Sequence, residues 1–156
     1  MRLSTKGRYA VMAMVDLAFH SAGKPVALSE IALRQDISLS HLEQLFAKLR
    51  RGGLVRSVRG PGGGYMLSRS INDTRIADII LAVDEPIRAT RCPAGTGRGC
   101  KKDKSRCLTH DLWEELGNQI HRYLSSVSLA DVCEKRVLVH EPPVREPASL
   151  AIAAAQ

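Results

Sequence analysis

Between residues 38 and 69 the chain changes its apolar period, and that change limits the folds it can adopt. The stretch SLSHLEQLFAKLRRGG sets Leu42, Leu45, Phe46 and Leu49 at i, i+3, i+4 and i+7, one buried stripe of an α-helix. Ser40 followed by Glu43 fits a capping box at its start, and Gly52 is placed to stop it. The next stretch, LVRSVRGPGGGYMLSR, holds two β-prone runs, 54–58 and 65–67, around a Gly-Pro-Gly-Gly-Gly turn. It reads as a β-hairpin.

Upstream, residues 4–20 read as a helix with Ser4 as N-cap and Tyr9, Met12, Ala13 and Leu17 as its apolar stripe. GKPVALSEIALRQD turns at Gly23 and Pro25 into a short second helix. Three helices followed directly by a hairpin are the order of a winged helix-turn-helix, and 1–70 is assigned to that domain. The outer face of the third helix carries Ser38, Ser40, His41, Glu43, Gln44, Lys48 and Arg51. A solvated amphipathic helix would show the same polar face, so the helix alone does not decide. The hairpin adds Arg56 and Arg59 beside a glycine tip able to approach a phosphate backbone.

A basic half can also be a plain solvated surface, so charge counts here only together with the helix and the hairpin. The 156 residues carry a net charge of +7, with eleven Lys/Arg against four Asp/Glu in residues 1–70 and twelve of each in 71–156. The entire excess lies with the helices and hairpin, as expected for a module that binds double-stranded DNA. The Gly-rich run is not a phosphate loop, since no Gly-Lys-Ser/Thr ends it. No nucleophile-base pair or carboxylate couple stands out, so the chain is not expected to be an enzyme. No signal peptide or membrane span is recognisable, which predicts a cytoplasmic protein whose thiols stay reduced.

IADIILAVDEP places Ile76, Ile79, Ile80 and Val83 on one face before Pro86, a linking helix within 71–91. In 109–138, Thr109 is a candidate N-cap with Leu108 and Trp113 as a hydrophobic staple. Leu112, Leu116, Ile120, Tyr123 and Val127 then recur at helical spacing, a stripe that a second copy would bury in a homodimer and that could instead fold back on its own domain. Residues 139–156, with three prolines, are expected to be disordered.

Between these helices lies CPAGTGRGCKKDKSRCLTH, residues 92–110, with Cys92, Cys100, Cys107 and His110 spaced C-x7-C-x6-C-x2-H. The gaps exceed those of zinc knuckles, although three cysteines and a histidine are a legitimate zinc set. A long Gly-rich loop can surround the two irons of a 2Fe-2S cluster. Arg98, Lys101, Lys102, Lys104 and Arg106 would offset its negative charge. Cys133 reads as a small buried hydrophobe. An iron-sulfur electron carrier would need neither hairpin nor basic half.

MRLSTKGRYAVMAMVDLA, ISLSHLEQLF, LVRSVRGPGGGY, AVDEPIRATRC and CLTHDLW together resemble the bacterial winged-helix regulators of iron-sulfur cluster assembly, from residue 1 to about 138. The resemblance implies a dimeric transcription regulator with a 2Fe-2S cluster on Cys92, Cys100, Cys107 and His110. In such proteins the clustered form represses cluster-assembly genes, the cluster-free form acts at a second class of promoter, and the assembly machinery is the cluster donor. Ser38, Ser40, Glu43 and Gln44 fall on the family's recognition-helix contacts and Arg59 on its wing contact. His41 stands where these proteins commonly have Tyr, and the intervals between cysteines are longer than usual. Related winged-helix regulators sense nitric oxide, iron or thiol oxidation instead.

Overall fold

The computed structural model describes residues 4–89, 100, 101, 103 and 105–139. The first helix, α1 (Thr5–Ser21), starts at Ser4, whose hydroxyl accepts from the Lys6 amide at 3.2 Å. Its other free amides find a remote acceptor: the Glu85 carboxylate takes the Ser4 amide at 2.6 Å and the Gly7 amide at 2.8 Å, and is also hydrogen-bonded by the Ser4 hydroxyl. Ala10, Ala13, Met14 and Leu17 are fully buried, while Tyr9 and Met12 lie half-buried at the edge. The expected stripe is therefore rotated, because later helices and the second strand of the hairpin pack against α1 and so cover it on more than one side.

Helix α2 (Leu28–Gln35) ends at Asp36, in the left-handed region at φ 52°, where an Asp is tolerated. Ile37 is then buried in the bend before α3 (Leu39–Arg51). Helix α3 buries Leu42, Leu45, Phe46 and Leu49, as the period requires. Its N-cap is Ser38 with no side-chain cap bond, so the Ser40–Glu43 capping box does not form; Ser40 already lies inside the first turn. Gly52 is the C-cap, and Gly53 supplies the left-handed residue that turns the chain, at φ 70°.

Strands β1 (Val55–Val58) and β2 (Gly64–Leu67) pair antiparallel, with Val55 opposite Leu67 and Val58 opposite Gly64. The hairpin is pinned through β2, near its turn. Val26 and Tyr65 exchange backbone hydrogen bonds at 3.0 and 2.8 Å, and the Tyr65 ring meets Phe46 edge-on at 4.9 Å between centroids. Gly64 is required there, since a Cβ would lie 2.3 Å from the Val26 carbonyl oxygen.

Helix α4 (Ile76–Ala82) buries Ile76, Ile79 and Ile80, and Val83 just past its end, against α1 and α3. Helix α5 (His110–Ser126) is different: only His110 and Gly117 are buried. A further short helix, α6 (Leu129–Cys133), had not been expected. It has a capping box between Ser128 and Asp131, packs Leu129 and Ala130 into the core, and leads to a 3-10 turn, Arg136–Val139. The architecture is mainly helical with one small hairpin, as the sequence predicts. Among the described residues no helix is long and apolar enough to cross a membrane. The tail from residue 140 onward lies outside the described residues.

Candidate nucleic-acid interface and cysteine–histidine site

A bidentate clamp orients α2, the helix that precedes α3 in the chain. Asp16 on α1 has no solvent-exposed side-chain surface and accepts from Arg34 at 2.7 and 3.1 Å and from Gln35 at 2.7 Å. With α2 held on α1 and Ile37 buried after it, α3 projects its first two turns outward. Ser38, Ser40, Glu43 and Gln44 are all exposed there, as are Arg56 on β1 and Arg59 at the start of the hairpin turn.

Two members of the expected contact set lie elsewhere. His41 is half-buried, with its ring edge-on to Tyr9 at 5.7 Å and a buried Nε2 that has no hydrogen-bond partner. Lys48 turns toward the end of α4 and pairs with Asp84 at 2.7 Å. Nothing in the spacing of the third helix foretells this second contact, because Asp84 is distant in sequence.

At the other end of the molecule the N-terminus of α5 gathers sulfur and nitrogen donors. Cys100 Sγ lies 3.0 Å from His110 Nδ1. The His110 amide donates to the Cys107 carbonyl at 3.0 Å, and Cys107 Sγ lies 3.7 Å from the Thr109 hydroxyl. His110 is only 6% exposed. Cys92, Arg98, Lys102 and Lys104 lie outside the described residues. Thr109 is the N-cap by position, but its hydroxyl accepts from the Trp113 indole at 3.2 Å rather than from the backbone. Leu108 is fully exposed, so the Leu108–Trp113 staple does not form.

The Cys100 thiol meets the nearly buried imidazole at a helix N-terminus, with Cys107 three residues ahead of that helix; the chemistry of these donors fits a soft-ligated iron cluster, and the positive end of the helix favours anionic thiolates. Spacing analysis missed Glu114, one turn beyond His110, whose carboxylate lies 3.8 Å from Nε2. Asp111 and Glu114 bring oxygens within 4.8 Å of the imidazole donor. Cys133 sits apart in α6 against the core, where burial, and then Glu134, push its thiol pKa up.

An exposed third helix beside an arginine-bearing hairpin, both rooted in one helical core, defines a winged-helix DNA-binding protein. The chain belongs to the Rrf2 family, described as an iron-dependent transcriptional regulator, whose match runs over residues 3–135. It is similar to ORF2 of Azotobacter vinelandii, named as a helix-turn-helix-type regulator, at 59% identity over 132 residues, 85% of this chain and 79% of that one. Similarity to the transcriptional regulator IscR of Photorhabdus laumondii is 54% over 132 residues, with the same coverage. Among solved structures, IscR of T. potens matches with a TM-score of 0.69 at 37% identity, covering 91% of this chain and 93% of that one. CymR, the global cysteine regulator of B. subtilis, matches with a TM-score of 0.71 at 30% identity, covering 86% and 98%. The chain is thus a DNA-binding transcription regulator and not an enzyme.

Proposed function

We propose that this regulator senses iron-sulfur cluster supply through a 2Fe-2S cluster held by Cys92, Cys100, Cys107 and His110. The observation that carries the reading is the approach of Cys100 Sγ to His110 Nδ1 at 3.0 Å, with Cys107 three residues before the start of α5. Similarity to IscR proteins supports it. When bound, the cluster supplies a group whose presence depends on iron, sulfide and oxidants. The protein residues hold it at the end of the helix that carries the exposed apolar stripe, so a change there reaches the surface where a second copy would dock.

In this reading the protein is a cytoplasmic homodimer. Its recognition helices present Ser38, Ser40, Glu43 and Gln44 to base edges, and Arg56 and Arg59 reach the backbone or the minor groove. The cluster-bound dimer represses genes of cluster assembly, and the assembly machinery is its cluster donor. The cluster-free dimer acts at other promoters.

Anaerobic purification with iron, sulfide and zinc analysis tests the cofactor. Iron and sulfide in equal amounts with visible absorbance are expected, lost in Cys100→Ala and Cys107→Ala and kept in Cys133→Ala. Stoichiometric zinc without sulfide would refute the cluster, whatever the DNA binding.

A further inference from the structure

Lys48 is the cation whose placement the DNA-binding reading leaves unused. It lies on the flank of the outward face of α3, and its ammonium is 2.7 Å from Asp84. Asp84 is fixed rather than free to swing. Val83 before it is fully buried, Glu85 after it is bonded to Ser4 and Gly7, and its own amide donates to the Leu81 carbonyl at 3.0 Å. The carboxylate itself is largely exposed and is attracted not only by Lys48 but also by Lys6 and Arg51, which, after the hydrogen bond from Lys48, help hold its pKa below the usual carboxylate range. An acidic group from the charge-balanced part of the chain, 71–156, has thus been set among cations of α1 and α3, which belong to the part that carries the whole basic excess.

We propose that Asp84 sets the strength of DNA binding: it is an internal counter-anion that keeps Lys48 from DNA phosphate and so lowers the sequence-independent part of the affinity. The proposal rests on the DNA-binding reading of α3. A phosphate that engages Lys48 must displace a carboxylate already in place. Any duplex meets that competition equally, whereas base contacts from Ser40, Glu43 and Gln44 do not. Holding back one phosphate contact therefore weakens binding to every duplex by a similar factor and lowers the salt dependence of binding, while the sequence preference stays with the base contacts.

The test uses the full chain in four forms: wild type, Asp84→Asn, Lys48→Ala and the double variant. Binding is read by fluorescence anisotropy over a range of salt, on a random-sequence duplex and on a duplex enriched from a random pool by the wild type. Asparagine tolerates the left-handed backbone at this position, φ 58°. Asp84→Asn is expected to bind both the random and the enriched duplex severalfold tighter, by a similar factor, with a log–log salt slope steeper by about 0.9 on each. Lys48→Ala is expected not to tighten binding, and the double variant to match Lys48→Ala. The two single variants break the same ion pair, so a merely structural pair would move them alike, and that result overturns the proposal. A gain in Asp84→Asn that survives removal of Lys48 also overturns it. If the wild type enriches no duplex, the DNA-binding reading fails and this inference with it. If enrichment succeeds and Arg59→Ala weakens it while Asp84→Asn changes nothing, this inference alone fails.

Discussion

Asp16 is the residue on which the recognition unit turns. Burial pushes its carboxyl pKa up, but hydrogen bonds from Arg34 and Gln35 and the nearby Arg34 and His20 charges outweigh that, and the net value lies below the ordinary one. A carboxyl held low in the folded state contributes stability that is present above its unfolded pKa, near 3.9, and lost as pH falls through the folded value. Asp16→Asn is therefore expected to cost about 2–3 kcal/mol at neutral pH, the low end for a broken buried pair because Arg34 keeps some solvent contact. The gap between variant and wild type in urea denaturation should close below about pH 4. A gap that stays constant to acid pH would assign the cost to packing instead. At this scale the sequence was only partly legible: Ser38, Ser40, Glu43, Gln44, Arg56 and Arg59 are exposed as read, whereas His41 and Lys48 are taken up by Tyr9 and Asp84. Their partners lie on other elements, and periodicity carries no information about those.

Helices with a sharp apolar stripe were the most readable elements. Leu42, Leu45, Phe46 and Leu49 of α3, and Ile76, Ile79, Ile80 and Val83 at α4, are buried as their spacing demands. Helix α1 was read with its face rotated because it is packed from more than one side. The α6 helix was missed although Ser128 and Asp131 carried the signal of its capping box. The start of α1 gives the test at this scale. Alanine is a better helix former than glycine by about 1 kcal/mol. At Gly7, however, an added Cβ would lie 2.7 Å from the Glu85 carboxylate oxygen that accepts its amide. Gly7→Ala is expected to destabilise by about 1 kcal/mol, as the displaced carboxylate gives up bonds to Ser4 and Gly7. In a Glu85→Ala background the same change should become stabilising. Chemical denaturation of the four variants reads the reversal, and the same sign in both backgrounds would refute the role of Glu85.

For the whole molecule, the deciding feature is the surface left bare. Leu112, Trp113, Leu116 and Tyr123 on α5 are exposed large hydrophobics, and Gly117 brings the helix close to the Ala89 backbone. Of the predicted stripe of α5, Val127 packs against the core and Ile120 is half-buried, while Leu112, Leu116 and Tyr123 are exposed among the described residues. Leu116→Glu is expected to convert a dimer to a monomer in sedimentation velocity while leaving helix content and melting nearly unchanged. Loss of the second half-site should weaken operator binding on the order of a hundredfold, since the linked contact contributes as an effective concentration. Inserting five base pairs between half-sites, about half a helical turn, should weaken the wild type comparably. Leu116→Glu that remains dimeric would place the contact elsewhere.

The sequence by itself determined the order of helices and hairpin, the buried faces of α3 and α4, the basic first half and the gathering of cysteines ahead of α5. Each of these is local or additive: a period of 3.6 or 2, a turn that needs glycine, a sum of charges. Tertiary structure decided the pairings between distant positions: Glu85 on the start of α1, Asp84 on Lys48, Tyr9 on His41, and Val26 on β2 of the hairpin. A hydrogen bond or ion pair depends on where two backbones cross, and the crossing is set by the packed core rather than by the residues that meet at it.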